Sequence, residues 1–327
     1  MAHNGFTRRA MLGAAAAALA APGAARAQAA RQLAIATGTT GGVYYPLGGG
    51  MANILSRTVP GLSATVEVTG GSVGNLQLLG AGRVGMGFSQ VDAAVDALQG
   101  NDRFKGRPVA VRALAVIYTN RMQVVTTAAT GIRTIADLKG KRISTGAPGS
   151  ATEGMALRLI EAAVLDVAKD FRARERLSPA ESTNAVKDGK LDAYFFVSGI
   201  PTSAITDLGA TPGTQLVLVD HAEHLPKLLA KHGPVYFAEA IPAGTYPGQK
   251  TDNQQVSVGN ILAVLDTMPA PEAASILDAL WTARAELAQV HAEGRNFTLA
   301  GQKTAAAGVP WHPAAEEFWR KQGAALG

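Results

Sequence analysis

Between residues 33 and 100 the chain alternates short apolar runs with amphipathic stretches. Leu33-Ala34-Ile35-Ala36 predicts a buried strand, and from Pro46 onward Leu47, Met51, Ile54 and Leu55 fall on one face of a helix. The unit recurs twice: Ala64-Thr65-Val66-Glu67-Val68 alternates like a strand before a short helix over 75–79, and Val84-Gly85-Met86-Gly87-Phe88 precedes a helix over 92–98. Such alternation predicts the α/β class, a parallel sheet covered by helices. Two extended apolar segments, 109–118 and 122–127, are separated only at Thr119-Asn120-Arg121, and their length suits a crossing between domains with a first hinge at the break. A second series follows, with a capped turn over 134–140, strands over 142–145, 191–197 and 216–219, and helices over 150–165 and 178–187. The segment 236–241 reads as the return crossing. The last third supplies a strand over 256–265 and helices over 270–288 and 313–324. No internal repeat appears.

Three glycine-rich loops fall where strands give way to helices, and ligands of such sheets collect at the carboxyl ends of the strands. They are Thr37-Gly38-Thr39-Thr40-Gly41-Gly42-Val43-Tyr44-Tyr45-Pro46, Thr69-Gly70-Gly71-Ser72-Val73-Gly74-Asn75 and Thr145-Gly146-Ala147-Pro148-Gly149-Ser150-Ala151-Thr152. Each offers hydroxyls and bare N–H groups at a helix N-terminus, so together they make an anion site without a buried cation. Thr39, Thr40, Gly42, Val43 and Tyr44 form the first candidate wall. Ser72, Val73, Gly74 and Asn75 form the second, Ser72 also being a candidate helix cap. Gln90, at the end of the third strand, is placed to bond a ligand, with Asp92 capping the next helix. Gly149, Ser150 and Thr152 would meet the ligand from the other domain on closure, joined by Phe196 and Ser198 at a later strand end. The reading is of a binder: catalytic residues, metal and cofactor are all expected to be absent.

Composition sets the address. Thr7-Arg8-Arg9-Ala10-Met11-Leu12 puts twin arginines ahead of an alanine-rich stretch ending at Ala25-Arg26-Ala27, which predicts an export signal over 1–27 and a mature, periplasmic chain from Gln28. Losing Arg8, Arg9 and Arg26 lowers the formal charge of +5 to about +2, a balance that does not point to nucleic acid. About 300 residues suffice for two α/β domains and hence a cleft. With no cysteine in the chain, disulfides and thiolate chemistry are excluded.

Other motifs compete. Gly70-Gly71-Ser72-Val73-Gly74 satisfies the nucleophile-elbow pattern, making a serine hydrolase with Ser72 as nucleophile and His312 as nominal base the enzyme alternative, although it comes after only two strands. Gly80-Ala81-Gly82-Arg83-Val84-Gly85 spells a dinucleotide fingerprint in reversed context, after a helix and before a strand. His221, His224 and His232 lack the companions of a metal site and read as a solvated helix face.

Four segments in order, T-G-G-V-Y-Y-P-L-G at 40–48, T-G-G-S-V-G-N at 69–75, F-S-Q-V-D at 88–92 and Val309-Pro310-Trp311-His312-Pro313, resemble the TAXI family of solute receptors, which serve tripartite ATP-independent periplasmic (TRAP) transporters. Arg83 and Val84 stand where that family more often has acidic residues. The resemblance implies a periplasmic-binding-protein fold of the second type, two α/β lobes joined by two crossing strands, with lobe I over 28–119 and 240–327 and lobe II over 120–239. It also implies a monomer that binds a small carboxylate, such as glutamate, 2-oxoglutarate or a related dicarboxylate, and delivers it to a TRAP-type membrane permease. The absence of an assignable acidic residue in the cleft favours dicarboxylates and oxo acids over glutamate. A sensor signalling to a membrane partner remains the alternative role.

Overall fold

The computed structural model describes Met1 and residues 31–327; the predicted export signal lies outside the described residues apart from Met1. Ten strands form one mixed sheet in the order β2-β1-β3-β10-β4-β7-β5-β6, with β8 on β4 and β9 on β10. The chain runs β1 (Arg31–Ala36), α1 (Tyr44–Thr58), β2 (Leu62–Glu67), α2 (Ser72–Gly80), β3 (Met86–Gln90), α3 (Val91–Gln99) and β4 (Val111–Thr127). It continues through β5 (Arg142–Ser144), α4 (Ala151–Ala162), β6 (Ala173–Glu175), α5 (Pro179–Lys187), β7 (Ala193–Ser198), α6 (Ser203–Ala210), β8 (Leu216–Leu218), α7 (Leu225–His232) and β9 (Tyr236–Ile241). It closes with β10 (Asn253–Leu265), α8 (Ala270–Thr282), α9 (Arg284–Val290), α10 (Thr304–Ala307) and α11 (Pro313–Lys321).

The βα alternation becomes parallel pairing of β1 with β2 and β3, and of β5 with β6 and β7. Leu47, Met51, Ile54 and Leu55 are all buried beneath α1, as the helical spacing requires; burying one such side chain stabilises by about 1.5–3 kcal/mol. Close approach has a local cause at Gly48, where an added Cβ would stand 2.4 Å from Thr37 Cγ2. The helix can therefore lie on the end of β1 and fix the loop between them. It starts at Tyr44, two residues ahead of Pro46, and α2 starts at Ser72 with Gly71 as its cap, so Ser72 is the first helical residue and not the cap.

The break expected at Thr119-Asn120-Arg121 is not there. β4 is one strand of 17 residues, because its partner changes while its backbone stays paired: residues 111–121 pair with β10 and residues 121–126 with β7. β10 does likewise, pairing with β9 over residues 253–258 and with β3 over residues 260–263. These two long antiparallel strands join the β2 side of the sheet to the β6 side. The segment expected to return across, β9, pairs with β10 alone. Sequence reading also misjudged His221, which is fully buried, with Nε2 2.9 Å from the Met122 carbonyl and Nδ1 accepting from Val256 N–H.

Candidate ligand-binding cleft

Three helices begin around one cavity of about 370 Å³, counting its open mouth. From the β2 side come the loops before α1 and α2 and the end of β3; from the β6 side come the start of α4 and the end of β7. Thr39, Gly42, Val43, Tyr44, Ser72, Gln90, Ser150, Thr152, Phe196 and Ser198 line it, joined by Gly38, Gly70, Gly71, Ala151 and Val197. None of these side chains is charged. The N–H groups of Tyr44, Ser72, Val73, Ala151 and Thr152 make no hydrogen bond within the described protein, as the first turn of a helix leaves them. Such N-termini carry partial positive charge, about half an elementary charge each. What the cavity offers a guest is dipolar attraction for an anion.

Its hydroxyls are held in place. Ser72 Oγ accepts from Gln90 N–H at 3.0 Å and lies 3.5 Å from Tyr44 Oη, which accepts from Asn120 Nδ2 at 3.1 Å. Tyr44 also stacks on Phe88 with ring centroids 5.0 Å apart, and burial pushes its phenol well above the ordinary range, so it stays neutral. Across the cavity Ser150 Oγ donates to Ala147 O at 2.7 Å and caps α4 by accepting from Glu153 N–H, while Thr152 Oγ1 accepts from Val197 N–H at 3.2 Å. His312 is bonded to Met268 O and Ala314 N–H, so the nominal base is engaged away from Ser72.

Five predicted residues do not reach the wall. Asn75 is a strut: its Nδ2 donates to Thr37 O at 2.6 Å and Phe88 O at 2.8 Å, with a longer bond to Ala36 O, and its Oδ1 accepts from Thr69 Oγ1. Both Nδ2 hydrogens are spent inside the protein. Gly74 donates its N–H to the carbonyl of Gly149 at 2.9 Å, so that amide is engaged by the opposite rim. Val73 turns its side chain to a neighbouring hollow beside Arg103, and Thr40 is exposed outside the cavity.

The two rims touch. Besides the Gly74–Gly149 bond, Ser203 Oγ donates to Gly41 O at 3.1 Å, and Arg103 of the β2 side pairs with Glu153 of α4 at 3.1 Å. Behind α2, Arg158 of α4 bonds Asp96 of α3 and the Tyr236 hydroxyl, which donates to Asp92 at 2.8 Å. Burial pushes the Asp92 carboxyl up, against the pull of Arg158.

Sequence reasoning overlooked the ground beneath the cavity. In the sequence Tyr118 ends an extended apolar segment, Asn120 reads as part of a strand break and Asn260 as part of an apolar strand; the signal for the two amides was their rarity inside such runs.

This α/β arrangement, with two long strands linking the sides of the sheet and helix N-termini facing across a cleft, is the architecture of periplasmic binding proteins. Solved structures share it. A periplasmic transporter superposes with a TM-score of 0.56 at 13% identity, over 89% of this chain and 92% of that one. The binding component of an ABC phosphonate transporter from Pseudomonas aeruginosa gives 0.51 at 13% identity over 80% and 78%. The alkanesulfonate-binding protein SsuA from Xanthomonas axonopodis pv. citri, bound to MOPS, gives 0.50 at 17% identity over 88% and 83%. Residues 35–323 match the model of the NMT1-like family, and the chain belongs to that family.

Proposed function

We propose that the protein is an extracytoplasmic receptor that captures a small carboxylate and hands it to a membrane permease. The observation that carries this reading is the convergence of the α1, α2 and α4 N-termini, drawn from both sides of the sheet, on one cavity lined by uncharged side chains. The strands of the β2 side act as one lobe and those of the β6 side as the other, bending where β4 and β10 run between them. Capture and closure are then one equilibrium, and the permease must prefer the open form to release the guest. A micromolar dissociation constant corresponds to about 8 kcal/mol, within reach of several charge-assisted bonds in a water-poor cleft.

The TAXI-like segments support a TRAP-type permease driven by an ion gradient. The NMT1-like family and the binding components of ABC transporters among the structural neighbours support the second reading, an ATP-driven one. Uptake of labelled ligand in cells decides between them: collapse of the ion gradient abolishes it in the first case, ATP depletion at constant gradient in the second. Receptor function itself is tested by a thermal-shift screen of small carboxylates against residues 28–327, with mass spectrometry of co-purifying molecules. A saturable rise in melting temperature is expected for at least one acid. A flat response to all of them overturns the proposal, and covalent labelling of Ser72 by an activated-serine probe would revive the hydrolase.

A further inference from the structure

The floor under the cavity carries polar groups that the protein itself leaves without partners. Gln90 at the end of β3 stands opposite Asn260 of β10, and Asn260 stands opposite Tyr118 of β4. Directly opposed residues share a face of the sheet, as do residues two apart, so Gln90, Asn260, Tyr118 and Asn120 form one patch across three adjacent strands. Each is at most 3% exposed. Yet Gln90 Oε1, Asn120 Oδ1, both amide atoms of Asn260 and the Tyr118 hydroxyl make no hydrogen bond; the hydroxyl faces Asn260 without completing one. The patch is continuous with the cavity, because Gln90 lines it and Asn120 donates to Tyr44, which lines it too.

Leaving a buried donor or acceptor unmatched costs about 1–3 kcal/mol. Five such atoms beside a ligand cavity mark where a guest supplies the missing partners. The patch itself carries no charge, although Arg121 and Glu293 lie close enough to act on Tyr118. The Arg121 guanidinium is bound to Glu239 and Glu293 at 3.0 Å each, with only its Nε lacking a partner, and Asp92, two residues after Gln90, is bound to Tyr236 and Arg158. A second carboxylate on this floor would meet three amide oxygens beside the Asn260 and Tyr118 donors and no unpaired cation; an ammonium would meet no unpaired carboxylate. Either would be buried without a counter-charge.

We infer that the ligand is a monoanion with two unlike ends, its carboxylate at the helix mouths and an uncharged hydrogen-bonding group, a hydroxyl or carboxamide, over Gln90, Asn120, Tyr118 and Asn260. This rests on the receptor reading above and narrows it, since it places dicarboxylates and amino acids below hydroxy and carboxamide acids of the same length.

The test is calorimetry on residues 28–327 with matched four- and five-carbon probes. For five carbons these are glutaramate, 5-hydroxypentanoate, glutarate, pentanoate and glutamate. Glutaramate or 5-hydroxypentanoate, or its four-carbon counterpart, should bind at least tenfold more tightly than the dianion, the plain acid and the amino acid of equal length. Replacing Asn260→Leu should reduce the preference for the polar-ended acid over the plain acid to below threefold, and Gln90→Met should weaken it in the same direction if Asn260→Leu does not fold. A dicarboxylate or an amino acid bound as tightly as the polar-ended monoanion overturns this inference alone. Failure of every probe to bind removes the receptor reading and takes the inference with it.

Discussion

Gly70 is where one added methyl group should separate binding from folding. A Cβ built at Gly70 falls 1.9 Å from the Pro148 carbonyl oxygen, which belongs to the opposite rim. Ordinary carbon–oxygen contact begins above 3 Å, so Gly70→Ala forces the rims apart by roughly 1 Å. Backbone strain is not the cause, because Gly70 is not among the residues of positive φ. Moving the rims breaks the 2.9 Å bond from Gly74 to Gly149, worth about 1 kcal/mol, and the residual crowding costs about 1–3 kcal/mol. A combined penalty of about 2–4 kcal/mol on the closed form corresponds to roughly 30- to 700-fold weaker binding. The open form lacks the contact, so the melting temperature of the ligand-free protein should change little. Calorimetry with the best acid from the screen measures the first effect, and small-angle scattering with and without that acid measures whether the molecule still compacts. Unchanged affinity together with unchanged compaction would show that these rims do not meet in the bound protein.

Three further outcomes follow from particular residues. Burial holds His221 down at about 4, so the unfolded chain takes up a proton below about pH 6.5 while the folded protein does not; stability is full above that pH and falls by up to about 3 kcal/mol as pH drops to about 4. Urea unfolding across this range should show the loss in the wild type and a flatter profile in His221→Gln, and equal slopes would refute the assignment. Asn75→Ala removes the amide donor from the carbonyls of Phe88 and Thr37, the latter keeping only Thr69 Oγ1 at 3.2 Å, and should cost about 2–4 kcal/mol in urea unfolding, a loss below about 1 kcal/mol being inconsistent with a strut. Gly49→Ala places a methyl group where nothing lies within 4 Å, inside α1, and should raise stability by about 0.5–1 kcal/mol.

Local rules carried the sequence reading furthest where one element decides its own environment. The four-residue face of α1 and the glycine loops before α1, α2 and α4 depend on periodicity and turn chemistry, both of which are written in consecutive residues. What escaped depends on partners distant in the chain. Asn75 resembles any amide at a helix start until Ala36, Thr37 and Phe88 arrive around it. Likewise Thr119-Asn120-Arg121 looks like an interruption in isolation, whereas pairing with β10 on one side and the handover to β7 on the other keep it extended. His221 gave the same lesson in reverse: a polar ring becomes a core residue because the Met122 carbonyl and the Val256 amide fix its neutral tautomer.

The central place of β10 orders the birth of the molecule. It lies between β3 and β4, which are made first and have no direct pairing with each other, while β10 begins only at Asn253. During synthesis a slot lined by Phe88, Leu114 and Ile117, all fully buried in the finished protein, therefore waits open for more than a hundred further residues. A ribosome-bound chain cut short anywhere before β10 has no completed sheet, only two edges looking for a strand, and any strand that arrives from another molecule competes for the same vacancy.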